Sequence, residues 1–240
     1  MLDSNATQDK KLLIITGPQG SGNHLFSRLL SLHPDVQGWD ELVDKYWVPS
    51  DLEPFAEYWV YPERLTAEKF TGKNYFLANV SCPFMYDGVR YVPKILEVAD
   101  RSRELGVDVE IAIIVRDQNI NAEQQKRVRG EVTTPIAQDY YYNTLLASDH
   151  SVHFLDHEAF FLHKQHYLKW ISKILNFPVE VNQNKINKFI DTDANHKYVK
   201  YVQEYWLDQE VWSGIQSKSS RGLNQKNINN IVSIQRSIQK

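Results

Sequence analysis

The hydrophobic positions of the chain fall into two kinds of pattern. Short continuous apolar runs occur at residues 12–15, 75–80, 109–115 and 152–155. Uninterrupted runs of this length are typical of strands that are covered on both faces, as in a parallel sheet. The sequence therefore predicts three buried strands, at residues 12–15, 75–80 and 109–115, and a fourth short strand at 152–155.

Between and after these runs, apolar residues recur three and four positions apart, which predicts helices. The predicted helices cover residues 25–32, 93–105, 119–130, 135–146, 164–175 and 198–211. Strands that alternate with helices indicate a single α/β domain with a central parallel sheet flanked by helices. We expect this domain at residues 11–212, between a flexible polar tail at 1–10 and a polar segment at 213–240 that acts as a lid or a tail.

Composition and net charge exclude several classes of protein for this chain. The chain has 240 residues and a formal net charge of −3, which gives no reason to expect a nucleic-acid partner. Its one cysteine, Cys82, excludes an intrachain disulfide and a cysteine-rich metal site. No apolar run reaches the ~20 residues of a membrane span, and the first residues lack the apolar core of a signal peptide. We therefore expect a cytoplasmic protein with no membrane partner; the oligomeric state is not predicted.

A glycine-rich turn, residues 17–22 (GPQGSG), joins the first strand to the first helix; we call it the glycine loop. Backbone N–H groups in such a turn, together with a helix N-terminus, attract phosphate. Gly17 and Gly22 have the spacing of the ATP-type loop G-x-x-x-x-G-K-[ST]. Asn23 and His24, however, occupy the positions of its lysine and hydroxyl. The sequence thus predicts a phosphate site that is not built for ordinary ATP hydrolysis.

Other candidate residues follow the strands. Arg116 comes directly after the third strand, at the edge of a parallel sheet where ligands bind, and its guanidinium suits a phosphate or a pairing with Asp117. Glu41, next to Asp40, is either a general base or an acidic residue at a helix start. The aromatic segment 51–71 either lines an acceptor pocket or packs in the core. No spacing of a metal site is present.

Four segments in order along the chain resemble the sulfotransferases that use 3′-phosphoadenosine 5′-phosphosulfate (PAPS). These segments, which span most of residues 12–179, are TGPQGSGNHLFSRLLSLHPDV, IAIIVRDQNINAEQQ, VHFLDHEAFF and YLKWISKILNFPV. The resemblance implies the P-loop-type sulfotransferase fold and PAPS as cosubstrate without a metal. It implies transfer of a sulfuryl group to a hydroxyl or amine of a carbohydrate or small-molecule acceptor.

The resemblance also implies roles for individual residues. The 5′-phosphosulfate would be held by five consecutive residues: Gly20, Ser21, Gly22, Asn23 and His24. Arg116 would bind the 3′-phosphate, with Gln124 and Arg221 as further nucleotide contacts. Glu41 lies where several members place the base that deprotonates the acceptor.

This sequence departs from the family at the loop lysine that stabilises the leaving phosphate. Gln19 and Gly20 occupy that region, and His24 is a substitute only if it is protonated. Two alternatives therefore stay open: a sulfotransferase-like protein that binds a nucleotide without turnover, and a P-loop kinase. The missing lysine favours the first, and the absent Lys-Ser/Thr pair argues against the second.

Overall fold

A computed structural model describes residues 10–45 and 48–191. Its central sheet has five parallel strands in the order β2-β3-β1-β6-β7. The sheet strands are β1 Lys10–Pro18, β2 Val36–Gln37, β3 Tyr75–Cys82, β6 Val107–Val115 and β7 Val152–Asp156. A separate antiparallel hairpin is formed by β4 Phe84–Tyr86 and β5 Val89–Tyr91. The predicted α/β class with a central parallel sheet is confirmed.

Helices flank the sheet. They are α1 Asn23–Leu30, α2 Asp40–Asp44, α3 Ile95–Glu104, α4 Gln118–Arg129, α5 Thr134–Tyr140, α6 His157–His163, α7 Gln165–Leu175 and α8 Gln183–Asp191. A π-helical turn, Tyr141–Leu145, extends α5. Short 3-10 helices cover Ser50–Leu52, Ala56–Trp59, Pro62–Arg64 and Ala67–Phe70.

The sheet is buried on both faces because side chains of a strand alternate in direction. Leu12 and Ile14 of β1 belong to a core with α3, α5 and the 3-10 helices. Leu13 and Ile15 belong to a second core, on the opposite face, with α1, α6, α7 and α8. Two covered faces explain why β1 is apolar throughout its centre.

The register brings the ends of three strands to one edge of the sheet. Thr16 of β1 lies beside Val80 of β3 and Ile113 of β6. The glycine loop after β1, Ser81 in β3 and Arg116 after β6 therefore share the carboxyl edge, where ligands of open parallel sheets bind.

Some expectations from the sequence differ from the structure, and others concern residues outside the described ranges. Residues 157–163, left without an assigned helix, form α6, and 51–71 folds as 3-10 turns whose aromatic rings pack largely in the core. Four other predictions fall outside the described residues: the tail at 1–9, the helix at 198–211, the domain boundary at 212, and the segment 213–240 with Arg221. Within the described ranges, no helix is long and apolar enough to cross a membrane.

Candidate functional site

The glycine loop has backbone angles that favour glycine. Gly20 and Gly22 have φ of 86° and 106°, in the left-handed region that other residues rarely adopt. A Cβ at Gly22 would also lie 2.6 Å from Cδ2 of His157, the first residue of α6. The sequence fixes this tight turn because only glycine satisfies both the angle and the close approach.

The turn leads straight into α1, which begins without a side-chain cap. The first N–H groups of any α-helix lack partners within the helix. In α1, Gly22 is the N-cap and contributes no side-chain cap, and the first turn contains no acidic residue. The first turn of α1 itself therefore contributes no negative charge against the partial positive charge of the helix end. This arrangement suits a phosphate or sulfate group.

The side chains of Ser21 and Asn23 point under the glycine loop. Ser21 Oγ donates to Asn23 Oδ1 at 3.0 Å, and Asn23 Nδ2 donates to Gly17 O at 3.2 Å and to Ser81 Oγ at 3.0 Å. Both residues are buried. These bonds hold the loop against the end of β3. The N–H of Ser21 also donates to Pro18 O, at 3.0 Å, so Ser21 and the side chain of Asn23 support the loop in this conformation.

Arg116 braces the same loop from the other side. Its Nη1 donates to Gly20 O and to Gln124 Oε1, each at 2.8 Å, and its Nε lies 3.8 Å from Glu158 Oε1. Only 2% of its side chain is exposed. The structure thus brings Gly20, Arg116 and Gln124 together through these two hydrogen bonds. Their shared role in this conformation is support of the loop.

Helix α4 packs along the loop. Gln125 Nε2 donates to Gln19 O at 2.6 Å, while Gln125 Oε1 accepts from the N–H of Thr133 and of Thr134. A Cβ at Gly20 would meet Asn121 Oδ1 at 3.0 Å. One face of α4 therefore forms a wall of the site. The sequence predicted only Gln124 of this helix as part of the site, although the amide-rich run from Asn119 to Gln125 indicates the whole wall.

His24 does not carry the charge that the loop lacks. Its ring packs edge-on against Trp39, with 5.5 Å between centroids. Burial, and then the charges of Arg28 and Arg129, lower the pKa of His24 to about 4. The ring is therefore neutral near pH 7. Desolvation and nearby cations therefore disfavour the imidazolium that the predicted replacement of the loop lysine by His24 requires.

Two glutamates, Glu41 and Glu53, differ in their exposure to solvent. Glu41 is exposed on α2. Glu53, which the sequence analysis did not single out, is buried and lines a cavity of about 10 Å³ with His24 and Ser81. Nothing local in the sequence marks Glu53, because its burial depends on a contact with β3.

Glu53 is surrounded by donors. Its Oε2 accepts from the N–H of Phe55 at 2.7 Å and from Trp59 Nε1 at 3.2 Å, and its Oε1 accepts from the N–H of Asn79 at 3.0 Å. Burial nevertheless raises the pKa of Glu53 to about 7, against the lowering effect of these bonds. Asn79 lines the same small cavity, and its buried Oδ1 has no hydrogen-bond partner among the residues that the structure describes. A protonated Glu53 or a water molecule suits this unsatisfied acceptor.

A larger cavity, of about 100 Å³, lies at the ends of β1 and β6. Its wall includes Pro18, Arg116, Asn121, Tyr141 and Phe154. Among the described residues, no group of three His, Cys, Asp or Glu side chains is placed to hold a metal ion.

Comparison with known proteins adds the following. No protein-family model matches the chain, and no curated protein sequence matches it. Among solved structures, the chain is similar to mouse sulfotransferase SULT7A1 complexed with PAP, with a TM-score of 0.40 and 13% sequence identity. The alignment covers 75% of this chain and 63% of the mouse chain. The described chain thus spans less than two thirds of the mouse protein's length.

Proposed function

We propose that this protein binds PAPS at the glycine loop and transfers its sulfuryl group to a hydroxyl or amine of a carbohydrate or small-molecule acceptor. The observation that supports this most is the N-terminus of α1, which has no side-chain cap. It follows a tight glycine turn, has no acidic residue in its first turn, and is braced by the buried Arg116. A helix end of this kind stabilises a phosphate or a phosphosulfate.

The reaction is an in-line displacement at sulfur. The acceptor oxygen or nitrogen forms a bond to sulfur as the bond from sulfur to the bridging 5′-phosphate oxygen breaks, giving 3′-phosphoadenosine 5′-phosphate (PAP). The acceptor proton goes to a base. The N–H groups at the start of α1 stabilise charge on the departing phosphate.

A second candidate is a protein that binds the nucleotide without turnover. It is favoured by the absence of a lysine in the glycine loop and by the neutral His24. The third candidate is a P-loop kinase. The sequence argues against it, because this chain has no Lys-Ser/Thr pair after Gly22.

Calorimetry with PAP tests the proposal. No binding at millimolar PAP would rule out both the sulfotransferase and the nucleotide-binding alternative. Binding of PAP without transfer from labelled PAPS to a broad acceptor panel would favour the second candidate. Tighter binding of ATP with Mg²⁺ than of PAP would favour the kinase.

Arg116→Ala is expected to weaken PAP binding by ~10- to 100-fold, the effect of losing charge-assisted hydrogen bonds. Adenosine 5′-phosphate, which lacks the 3′-phosphate, is the comparison ligand. A larger loss for PAP than for adenosine 5′-phosphate supports the predicted 3′-phosphate contact. Equal losses would restrict Arg116 to bracing Gly20 and Gln124.

Glu41→Gln is expected to leave PAP affinity unchanged and to lower kcat by roughly 100-fold, the usual contribution of a general base. Asp40→Asn, which removes the neighbouring exposed charge, is the matched control. Steady-state kinetics with the acceptor found in the panel provide the measurement. Unchanged kcat would exclude Glu41 from the mechanism.

A further inference from the structure

The small cavity beside Glu53 borders the start of α1. His24, the second residue of α1, is part of its wall, and so is Ser81 near the end of β3. Ser81 Oγ accepts from Nδ2 of Asn23, the first residue of α1, at 3.0 Å. Ser50, an exposed residue, also lines the cavity, which therefore lies near the surface. A solute in this cavity lies beside the end of α1 where the proposed function places the nucleotide.

The cavity wall is rich in hydrogen-bond acceptors. Asn79 is 5% exposed, and its Oδ1 has no hydrogen-bond partner within residues 10–45 and 48–191. Glu53, also 5% exposed, accepts three hydrogen bonds, whereas the two oxygens of a carboxylate can accept about four. A buried acceptor that makes no hydrogen bond costs free energy. The cavity therefore suits a group that donates at least two hydrogen bonds.

The carboxylate of Glu53 also lacks a cation beside it. Its oxygens form no ion pair in the described part of the chain. Lys69, whose charge acts on Glu53, donates from Nζ to Pro54 O at 2.6 Å. His24 brings no charge near pH 7, because its pKa is about 4. Burial disfavours an ionised carboxylate and an adjacent cation favours it, so a positively charged occupant would balance Glu53.

Aromatic rings and a small volume define the rest of the cavity. Trp39, Trp59 and Phe84 belong to its wall. Rings of this kind attract cations through their faces, and aromatic walls recognise ammonium groups. The volume of about 10 Å³ holds one group of the size of a water molecule. An unsubstituted ammonium group has this size, three N–H donors and a positive charge.

We propose that this cavity binds an amino group of the acceptor as its ammonium, which donates to Asn79 Oδ1 and to the Glu53 carboxylate. This inference rests on the proposed function and names its acceptor class: molecules that carry a primary amino group. The contact selects the acceptor and orients it beside the start of α1. Asn79 and Glu53 thus determine specificity, and transfer of a proton to the base is a separate step.

A hydroxyl is the competing occupant of the cavity. It could donate to Asn79 Oδ1 and accept from Trp39 Nε1, a buried donor that has no hydrogen-bond partner among the residues described. A hydroxyl donates only one hydrogen bond, however, and it brings no positive charge to Glu53. The observations therefore favour the ammonium, and a matched alcohol is the comparison ligand.

The test is calorimetry with phenethylamine and phenethyl alcohol, which differ only in the amino and hydroxyl groups, on the full chain saturated with PAP. We expect the amine to bind roughly tenfold or more tightly, as for hydrogen bonds to charged groups. Its trimethylammonium derivative should bind no better than the alcohol, because the larger head exceeds the cavity. Equal affinities of amine and alcohol, with PAP still bound, would overturn the inference and leave the proposed function intact. A preference for the amine in a chain that does not bind PAP would overturn the proposed function and retain the amine site.

Two variants locate the contact. Asn79→Leu and Glu53→Gln should each lower the ratio of amine affinity to alcohol affinity by roughly tenfold, while PAP affinity stays close to that of the wild type. Glu63→Gln, which removes an exposed carboxylate from the same segment, is the matched control and should leave the ratio unchanged. A general loss of packing, checked by thermal unfolding, would weaken binding of both ligands and leave their ratio unaltered. An unchanged ratio in both variants would overturn the roles of Asn79 and Glu53.

Discussion

Gly22→Ala is expected to lower the free energy of unfolding by roughly 3 kcal/mol or more, through positive-φ strain and overpacking together. The added Cβ would meet Cδ2 of His157 at 2.6 Å, while φ is 106°. The turn must shift to relieve the contact, and the shift moves the N–H groups at the start of α1. We therefore also expect PAP binding to fall by at least tenfold, measured by chemical denaturation and calorimetry on the same preparation.

Gly72→Ala is the matched control for this variant. Gly72 has φ of 85°, but nothing lies within 4 Å of the position of its Cβ. This change should cost about 1 kcal/mol, the strain of positive φ alone, and leave PAP binding unaltered. Equal destabilisation of the two variants would contradict the contact with His157. In a double-mutant cycle, His157→Ala should recover part of the loss caused by Gly22→Ala.

Glu53 is expected to make folding stability depend on pH. Burial raises its pKa from the ordinary 4.5 to about 7, so the folded chain holds this proton to higher pH than the unfolded chain does. Its contribution to stability is therefore fully present below pH 4.5 and is lost as pH rises to about 7. The loss amounts to roughly 3 kcal/mol, from 1.36 kcal/mol for each pKa unit.

Glu53→Gln removes this dependence. Denaturant unfolding of both proteins from pH 4.5 to 8 should show the variant gaining on the wild type as pH rises. The amide also alters hydrogen bonds to Phe55, Trp59 and Asn79, but that cost is the same at every pH. Glu63→Gln, which removes an exposed carboxylate from the same segment, controls for the loss of one charge. Parallel stability curves for Glu53→Gln and the wild type would disprove the prediction.

The sequence predicted β1, β3 and β6 well because these strands are buried on both faces. Residues 109–115 are apolar almost throughout, and they lie within β6, between β1 and β7. The sequence also contains local signals for the β4–β5 hairpin and for the start of α6, two elements that were not predicted. Asp87-Gly88, a pair typical of two-residue hairpin turns, joins β4 and β5. Asp156 caps α6 by accepting from the N–H of Ala159.

The chemistry of the site was harder to predict from the sequence. The glycine loop and its neighbour Arg116 were found because spacing and position after a strand are local properties. The neutral state of His24 depends on burial and on Arg129, which is more than one hundred positions away in the sequence. Glu53 Oε1 accepts a hydrogen bond from the backbone N–H of Asn79, which is 26 positions away in the sequence. Such long-range contacts leave no local pattern.

The bonds under the glycine loop also define a way to recognise relatives. Asn23 joins the carbonyl of Gly17 to the hydroxyl of Ser81, so two other positions, one of them 58 residues away, depend on its side chain. A Cβ at Gly17 would meet Ser21 Oγ at 2.3 Å, which ties a fourth position to the set. Chains that share this loop should therefore keep glycine, serine, asparagine and a strand-end hydroxyl together, or exchange them together. Covariation of these four positions would identify a lineage of loops without lysine from genome sequences alone.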